Sequence, residues 1–136
     1  HLTEVLGPCV GLIDMVRIAI DPKQFSRALK LAQGVKSMGF EVGFNVMYMS
    51  KWKAQPDFLK LLPEIRGIAD YFYMVDSYGG VYPADVKETI ELVKSYVDDV
   101  DLGFHGHNNM ELALINTLTA INEGCSIVDA TITGMG

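Results

Sequence analysis

The chain alternates short apolar runs with longer stretches in which apolar residues recur every three or four positions. Residues 15–20 (M-V-R-I-A-I) are apolar apart from one arginine and read as a buried strand. Asp21-Pro22 follows as an N-cap with proline at the first helical position. Behind it Phe25, Ala28, Leu29, Ala32 and Val35 share one helical face, and Gly39 stands where that helix must end. Residues 42–49 (V-G-F-N-V-M-Y-M) predict a second strand. Phe58, Leu61, Leu62, Ile65 and Ile68 form the next helical stripe, with Pro63 inside it predicting a kink or break. Residues 71–75 read as a third strand and 76–80 as the loop at its C-terminal end; Pro83 then opens a helix with Val86, Ile90, Val93 and Val97 on its apolar face. Residues 101–107 predict a fourth strand. Asn108 or Asn109 can cap the next helix, whose apolar residues are Leu112, Ile115, Leu118 and Ile121 and which Gly124 stops. Residues 126–132 predict a fifth strand. Ahead of all this, residues 2–14 read as the end of a helix and a loop, broken at Gly7-Pro8 and Gly11.

Strand and helix thus alternate with a period of about 30 residues, the length of one βαβ step, which implies a parallel sheet with helices outside it. An open doubly wound sheet and a (β/α)8 barrel both fit that pattern. A dinucleotide fold would want G-x-G-x-x-G after a strand, and no glycines here keep that spacing. A barrel places its chemistry at strand C-termini, and those positions carry Asp21, Asn45, Asp76-Ser77, His105 with His107, and Asp129 with Thr131. The expectation is therefore an α/β chain, residues 1–136, forming one segment of a parallel (β/α)8 TIM barrel. The chain begins with His1 and ends in Thr-Gly-Met-Gly, and both ends read as cuts through a larger protein.

Composition changes the picture only by exclusion. At 136 residues, 49% hydrophobic and 21% charged, the chain is an ordinary globular sequence. A net charge of −6, with no Lys/Arg cluster, argues against nucleic acid or an anionic membrane as partner. No run approaches the roughly 18 apolar residues of a membrane span. Cys9 and Cys125 lie beside apolar residues and read as buried thiols, which points to the cytoplasm.

The chemistry concentrates in Gly103-Phe104-His105-Gly106-His107-Asn108-Asn109, which holds two of the three histidines. Side chains alternate along a strand, so His105 and His107 point the same way and can reach one metal ion as neighbouring ligands. Hydrogen-bonded strand-end histidines are the plainer alternative. Asp76 and Asp129 are the carboxylate candidates; Asp76 can equally cap the turn after it, and Asp129 can pair with Arg17. Arg17 needs a partner because an unpaired charge in an apolar strand is costly. Ser77 and Asn45 can hydrogen-bond a substrate carboxylate or hydroxyl. Tyr48 and Tyr78 can serve as proton donors, though loop tyrosines more often pack. Neither cysteine has an activating neighbour in the sequence.

The stretch G-F-H-G-H-N-N-M-E-L-A-L-I-N-T-L-T-A-I-N-E-G-C-S-I-V-D-A-T-I-T-G-M-G resembles the metal-dependent aldolase and lyase superfamily of HMG-CoA lyase, isopropylmalate synthase and 4-hydroxy-2-oxovalerate aldolase. V-D-S-Y-G-G is similar to that family's Asp-Ser/Thr-x-Gly turn, and V-R-I-A to an earlier strand; the aldolase branch fits best. The resemblance covers nearly the whole chain and implies a barrel segment of about strands three to seven. It implies a divalent metal (manganese, magnesium or zinc) on His105 and His107, with the acidic ligand and catalytic base outside this chain. Ser77 matches the position that contacts the 2-oxo acid carboxylate, and Asp76, with Asp129 and Arg17, stands behind the ligands. The implied reaction makes or breaks a carbon–carbon bond of a small 2-oxo acid through an enolate, giving pyruvate and an aldehyde in the aldolase branch. A synthase condensing an acyl-CoA with a 2-oxo acid, and a barrel that only binds a ligand or partner, are the alternatives. A homo-oligomer or a dehydrogenase is the implied protein partner, and the segment by itself is expected to be inactive. A metal-dependent hydrolase barrel would usually carry H-x-H on its first strand, whereas βαβ units precede it here.

Overall fold

The computed structural model describes residues 2–132; His1 and the Gly-Met-Gly end of the family-like motif lie outside them. Five strands form one sheet: β1 (Met15–Ile20), β2 (Glu41–Val46), β3 (Tyr71–Asp76), β4 (Asp101–Gly106) and β5 (Ile127–Val128). All pairs are parallel and the spatial order is the chain order. The helices are α1 (Leu2–Leu6), α2 (Phe25–Ser37), α3 (Pro56–Leu59), α4 (Pro83–Lys94) and α5 (Ala113–Asn122).

Sequential order decides between the two architectures. Right-handed crossovers that always step the same way leave every helix on one face, whereas a doubly wound sheet reverses direction and is covered on both. The strand residues buried in the hydrophobic core belong to one alternating set: Ile18, Val42, Phe44, Val46, Phe72, Met74, Leu102 and Phe104. They meet Phe25, Ala28, Leu29, Ala32 and Val35 of α2 and Val86, Ile90 and Val93 of α4. Phe25 stacks between Phe44 and Phe58, with centroids 5.3 and 5.0 Å away. The other alternating set carries Arg17, Gly43, Asn45, Tyr73, Gly103 and His105, in the cross-strand register that brings Asn45 beside Tyr73 and Tyr73 beside Gly103. This is the helix-free face.

Most predicted boundaries hold within a residue or two. Asp21 caps as expected, accepting from the Lys23 amide, though the first turn it opens is 3-10. The proline break at Pro63 is real: α3 ends at Leu59 and a 3-10 turn spans Leu62–Ile65. Gly39 and Gly124 take positive φ and close their helices.

Three expectations change. β2 stops at Val46, not at 49, because Tyr48 adopts a left-handed backbone (φ 60°) and Met49–Ala54 winds into a 3-10 helix. β5 is paired only over Ile127–Val128, with one further ladder bond from the Asp129 amide to the Phe104 carbonyl at 3.1 Å. The apolar residues of α5 do not face the core: Ile115, Leu118 and Ile121 are 46%, 47% and 46% exposed, while Asn116 and Ala120 are buried. A constant spacing of three falls short of a helical turn by about 60° per step, so those residues spiral around the helix instead of forming a stripe.

Candidate functional site

At the C-terminal end of the sheet the polar strand residues converge. Arg17 is the centre. Its Nη1 and Nη2 donate to Oδ1 and Oδ2 of Asp129 at 2.8 and 2.5 Å, and its Nε donates to Asn45 Oδ1 at 2.8 Å. Its guanidinium carbon lies 3.8 Å from the centre of the Tyr73 ring. Each of the three guanidinium nitrogens thus has a partner, and the counter-charge the arginine needed is Asp129. Hydrogen bonding to Asp129 holds Arg17 protonated against the opposing effect of burial. Burial acts to raise the Asp129 carboxyl, but the bonds from Arg17 and His105 outweigh it and hold the group below the ordinary carboxylate value.

β1 and β5 are the two edges of the sheet, four strand spacings or about 19 Å apart along it. That Arg17 and Asp129 touch means the sheet curls toward its helix-free face, as a barrel wall does. The Asp129 Oδ2 atom is also 2.6 Å from Nδ1 of His105. His107 is oriented separately: its Nδ1 lies 3.1 Å from the carbonyl oxygen of Ser77. A carboxylate and a carbonyl can only accept, so both Nδ1 atoms carry hydrogen, and in the neutral tautomer each Nε2 is the free acceptor. Those two Nε2 atoms are 3.3 Å apart.

Ser77 sits in a tightly braced turn. Its Oγ accepts from the Tyr48 amide at 2.9 Å, which helps to hold the strained Tyr48 backbone. Asp76 is buried and accepts from the Gly80 and Val81 amides, both at 3.2 Å, which is the turn-capping role. Gly79, at φ 58°, lets Asn109 approach: a Cβ there would stand 2.5 Å from the Asn109 side chain. Asn116 donates to the Val81 carbonyl and ties α5 to the same turn. Tyr48 and Tyr78 pack with centroids 5.4 Å apart beneath Lys51, whose Nζ donates to Tyr78 Oη at 2.7 Å. Asn108, one of the two predicted caps, accepts from the Ala113 amide at 3.1 Å.

A cleft of about 680 Å³ opens beside the cluster, lined by Arg17, His105, Asn108, Thr117, Asp129 and Thr131 among others. Among the described residues no group of three or more His, Cys, Asp or Glu converges as a ready set of metal ligands. The acid beside the histidines, Asp129, is turned to Arg17 and to the far nitrogen of His105, so it orients a ring.

Tyr73 is the site residue that sequence reasoning missed. The signal was there in the strand-interior glycines Gly43 and Gly103, since glycine inside a strand marks a close approach.

Residues 10–136 match the sequence model of the HMGL-like family. The chain belongs to the HMGL-like family. A 4-hydroxy-2-oxovalerate aldolase of Pelotomaculum thermopropionicum is 42% identical over 147 aligned positions, covering 99% of this chain and 43% of that protein. The crystal structure of the N-terminal domain of a candidate aldolase from Bacteroides vulgatus superposes with a TM-score of 0.96 at 56% identity, over 99% of this chain and 45% of that one. The HMG-CoA lyase of Brucella melitensis shares the fold, with a TM-score of 0.79 at 15% identity over 98% of this chain and 53% of that one. This HMGL-like chain is a segment of a TIM barrel and spans about two fifths of the length of the curated relatives it matches. The resemblance read from its motifs is borne out.

Proposed function

We propose that this HMGL-like chain belongs to a divalent-metal-dependent aldolase-type lyase. It cleaves or forms a carbon–carbon bond of a 2-oxo acid, in the cleavage direction turning a 4-hydroxy-2-oxo acid into pyruvate and an aldehyde. The observation that carries the reading is the pair of Nε2 atoms facing each other at 3.3 Å, with both Nδ1 atoms taken up by Asp129 and the Ser77 carbonyl. A cation bound by both, or a proton shared between them, satisfies two ring nitrogens at that separation. Nitrogens bound to one ion at about 2.0–2.1 Å, at right-angled or tetrahedral bite, stand about 2.8–3.4 Å apart, so the residues present fit the group.

In this reading His105 and His107 hold the metal, with Asp129 and the Ser77 carbonyl fixing their rings. Imidazoles suit zinc; manganese or magnesium fits once oxygen ligands join, and the acidic ligand is assigned to a segment beyond this chain. The cation supplies Lewis-acid polarisation of the 2-oxo carbonyl. Ser77 Oγ accepts from Tyr48 and keeps its own hydrogen to donate to a substrate carboxylate. Asn45 Oδ1 is engaged by Arg17, which leaves its amide nitrogen to face substrate. The catalytic base is likewise assigned beyond the chain. Both cysteines are free thiols, which supports a reducing, cytoplasmic setting.

The test uses the full-length protein. His105→Ala combined with His107→Ala removes bound divalent metal, read by elemental analysis, and removes pyruvate release from 4-hydroxy-2-oxovalerate. Unchanged metal content in the double variant overturns the metal assignment. Metal-loaded wild-type protein that releases no pyruvate or aldehyde from 4-hydroxy-2-oxo acids overturns the lyase assignment.

A further inference from the structure

The two nitrogens that define the site owe their alignment to residues that never approach them. His105 is turned by Asp129, Asp129 is gripped by Arg17, and Arg17 rests on Tyr73. Tyr73 is 1% exposed yet sits on the helix-free face, away from the hydrophobic cluster. On the β4 side nothing stands beside its ring, because its cross-strand neighbour is Gly103. A Cβ at Gly103 would stand 2.5 Å from Tyr73 Cδ1, and one at Gly43 would stand 3.7 Å from Tyr73 Cε2 and 3.1 Å from Arg17 Cγ. The ring therefore forms a floor, and the guanidinium stacks on it at 3.8 Å. Such stacking favours a planar cation lying parallel to the ring and fixes the height at which Arg17 crosses the sheet. Asn45 then fixes its rotation by accepting from Nε, leaving one fork for Asp129.

We infer that Tyr73, seated against Gly103 while Gly43 leaves room for the Arg17 stem, is a positioning residue for the metal-binding His105, acting through Arg17 and Asp129. The inference rests on the metal reading above and extends it to a residue three contacts away from the ligand His105. It predicts that the aromatic face matters and the hydroxyl does not. It predicts also that a methyl group added at Gly103 is felt at His105, because the displaced ring lifts Arg17 from its stack and rotates the Asp129 carboxylate away from Nδ1.

The experiment measures cobalt(II) binding to the full-length protein by titration and by the visible spectrum of the bound ion, with thermal unfolding as a check on folding. Tyr73→Phe keeps wild-type affinity and spectrum. Tyr73→Leu and Gly103→Ala weaken cobalt binding about 10- to 100-fold, the usual cost of removing support behind a metal-binding histidine, and shift the spectrum. Asn45→Ala, which removes the acceptor for Arg17 Nε and leaves the Tyr73 side chain itself in place, weakens binding at least about threefold on the same principle and carries the test if the other variants do not fold. The inference is overturned if folded Tyr73→Leu, or Asn45→Ala in its place, binds cobalt with wild-type affinity and spectrum. Loss of binding in Tyr73→Phe equal to that in Tyr73→Leu also overturns it, because the hydroxyl would then be the active part. The His105→Ala, His107→Ala protein separates the two failures: if it still binds cobalt, the metal reading itself is wrong.

Discussion

The thiol of Cys125 shows how burial sets reactivity in this chain. Burial pushes it up to about 11, against a small opposing effect from Lys94. At pH 8 about one thiol in a thousand is then ionised, so Cys125 should remain unmodified by iodoacetamide in the folded protein and react only on unfolding, as mass spectrometry would show. The sign follows for stability. A raised thiol value makes a contribution that is complete below the unfolded value of about 8.5 and is lost as pH rises toward about 11. The unfolding temperature should fall across that window, and fall less in Cys125→Ala. At this same scale the candidate site was partly legible. The pairing of His105 with His107, and of Arg17 with Asp129, follows from strand alternation and from the cost of an unpaired charge. The stack of Arg17 on Tyr73 did not follow, because it depends on which strands lie side by side and in which register.

Among the elements, periodicity located every strand, α2 and α4, because their apolar spacing matches a face that is buried in the structure, while the stripe over 58–68 resolves into the four-residue α3 and a 3-10 turn. It failed for α5, where equal steps of three gave the look of a stripe without its geometry, and Asn116 and Ala120 took the inner face. The short β5 was also hidden, since an apolar run says nothing of how many residues find a neighbour. In the layer between sheet and helices, Phe44 is fully buried against Phe25. Phe44→Ala should cost about 3–5 kcal/mol in chemical denaturation of the full-length protein; a loss under about 1 kcal/mol would mean that the aromatic cluster repacks. By contrast the exposed Lys53–Glu88 and Arg66–Asp98 pairs should contribute little, since exposed ion pairs gain about as much as they lose in side-chain freedom.

For the molecule as a whole, the Arg17–Asp129 pair joins residues 112 positions apart in sequence, from one edge strand to the other. Arg17→Met should destabilise the full-length protein by about 1–3 kcal/mol, between the values for exposed and for buried pairs. It should also speed hydrogen exchange in β1 and β5 more than in β3, and uniform exchange across the sheet would show that the pair does not hold the edges. The pair has a second consequence, through thermodynamic reciprocity. It spans the arc of the sheet like a chord, and the same carboxylate holds His105. Any cation that prefers the aligned histidine must therefore favour the curled sheet by the same factor as the curl favours the cation. On the proposed metal reading, loading the rim and bending the wall become one equilibrium, and a flatter sheet would be a weaker ligand.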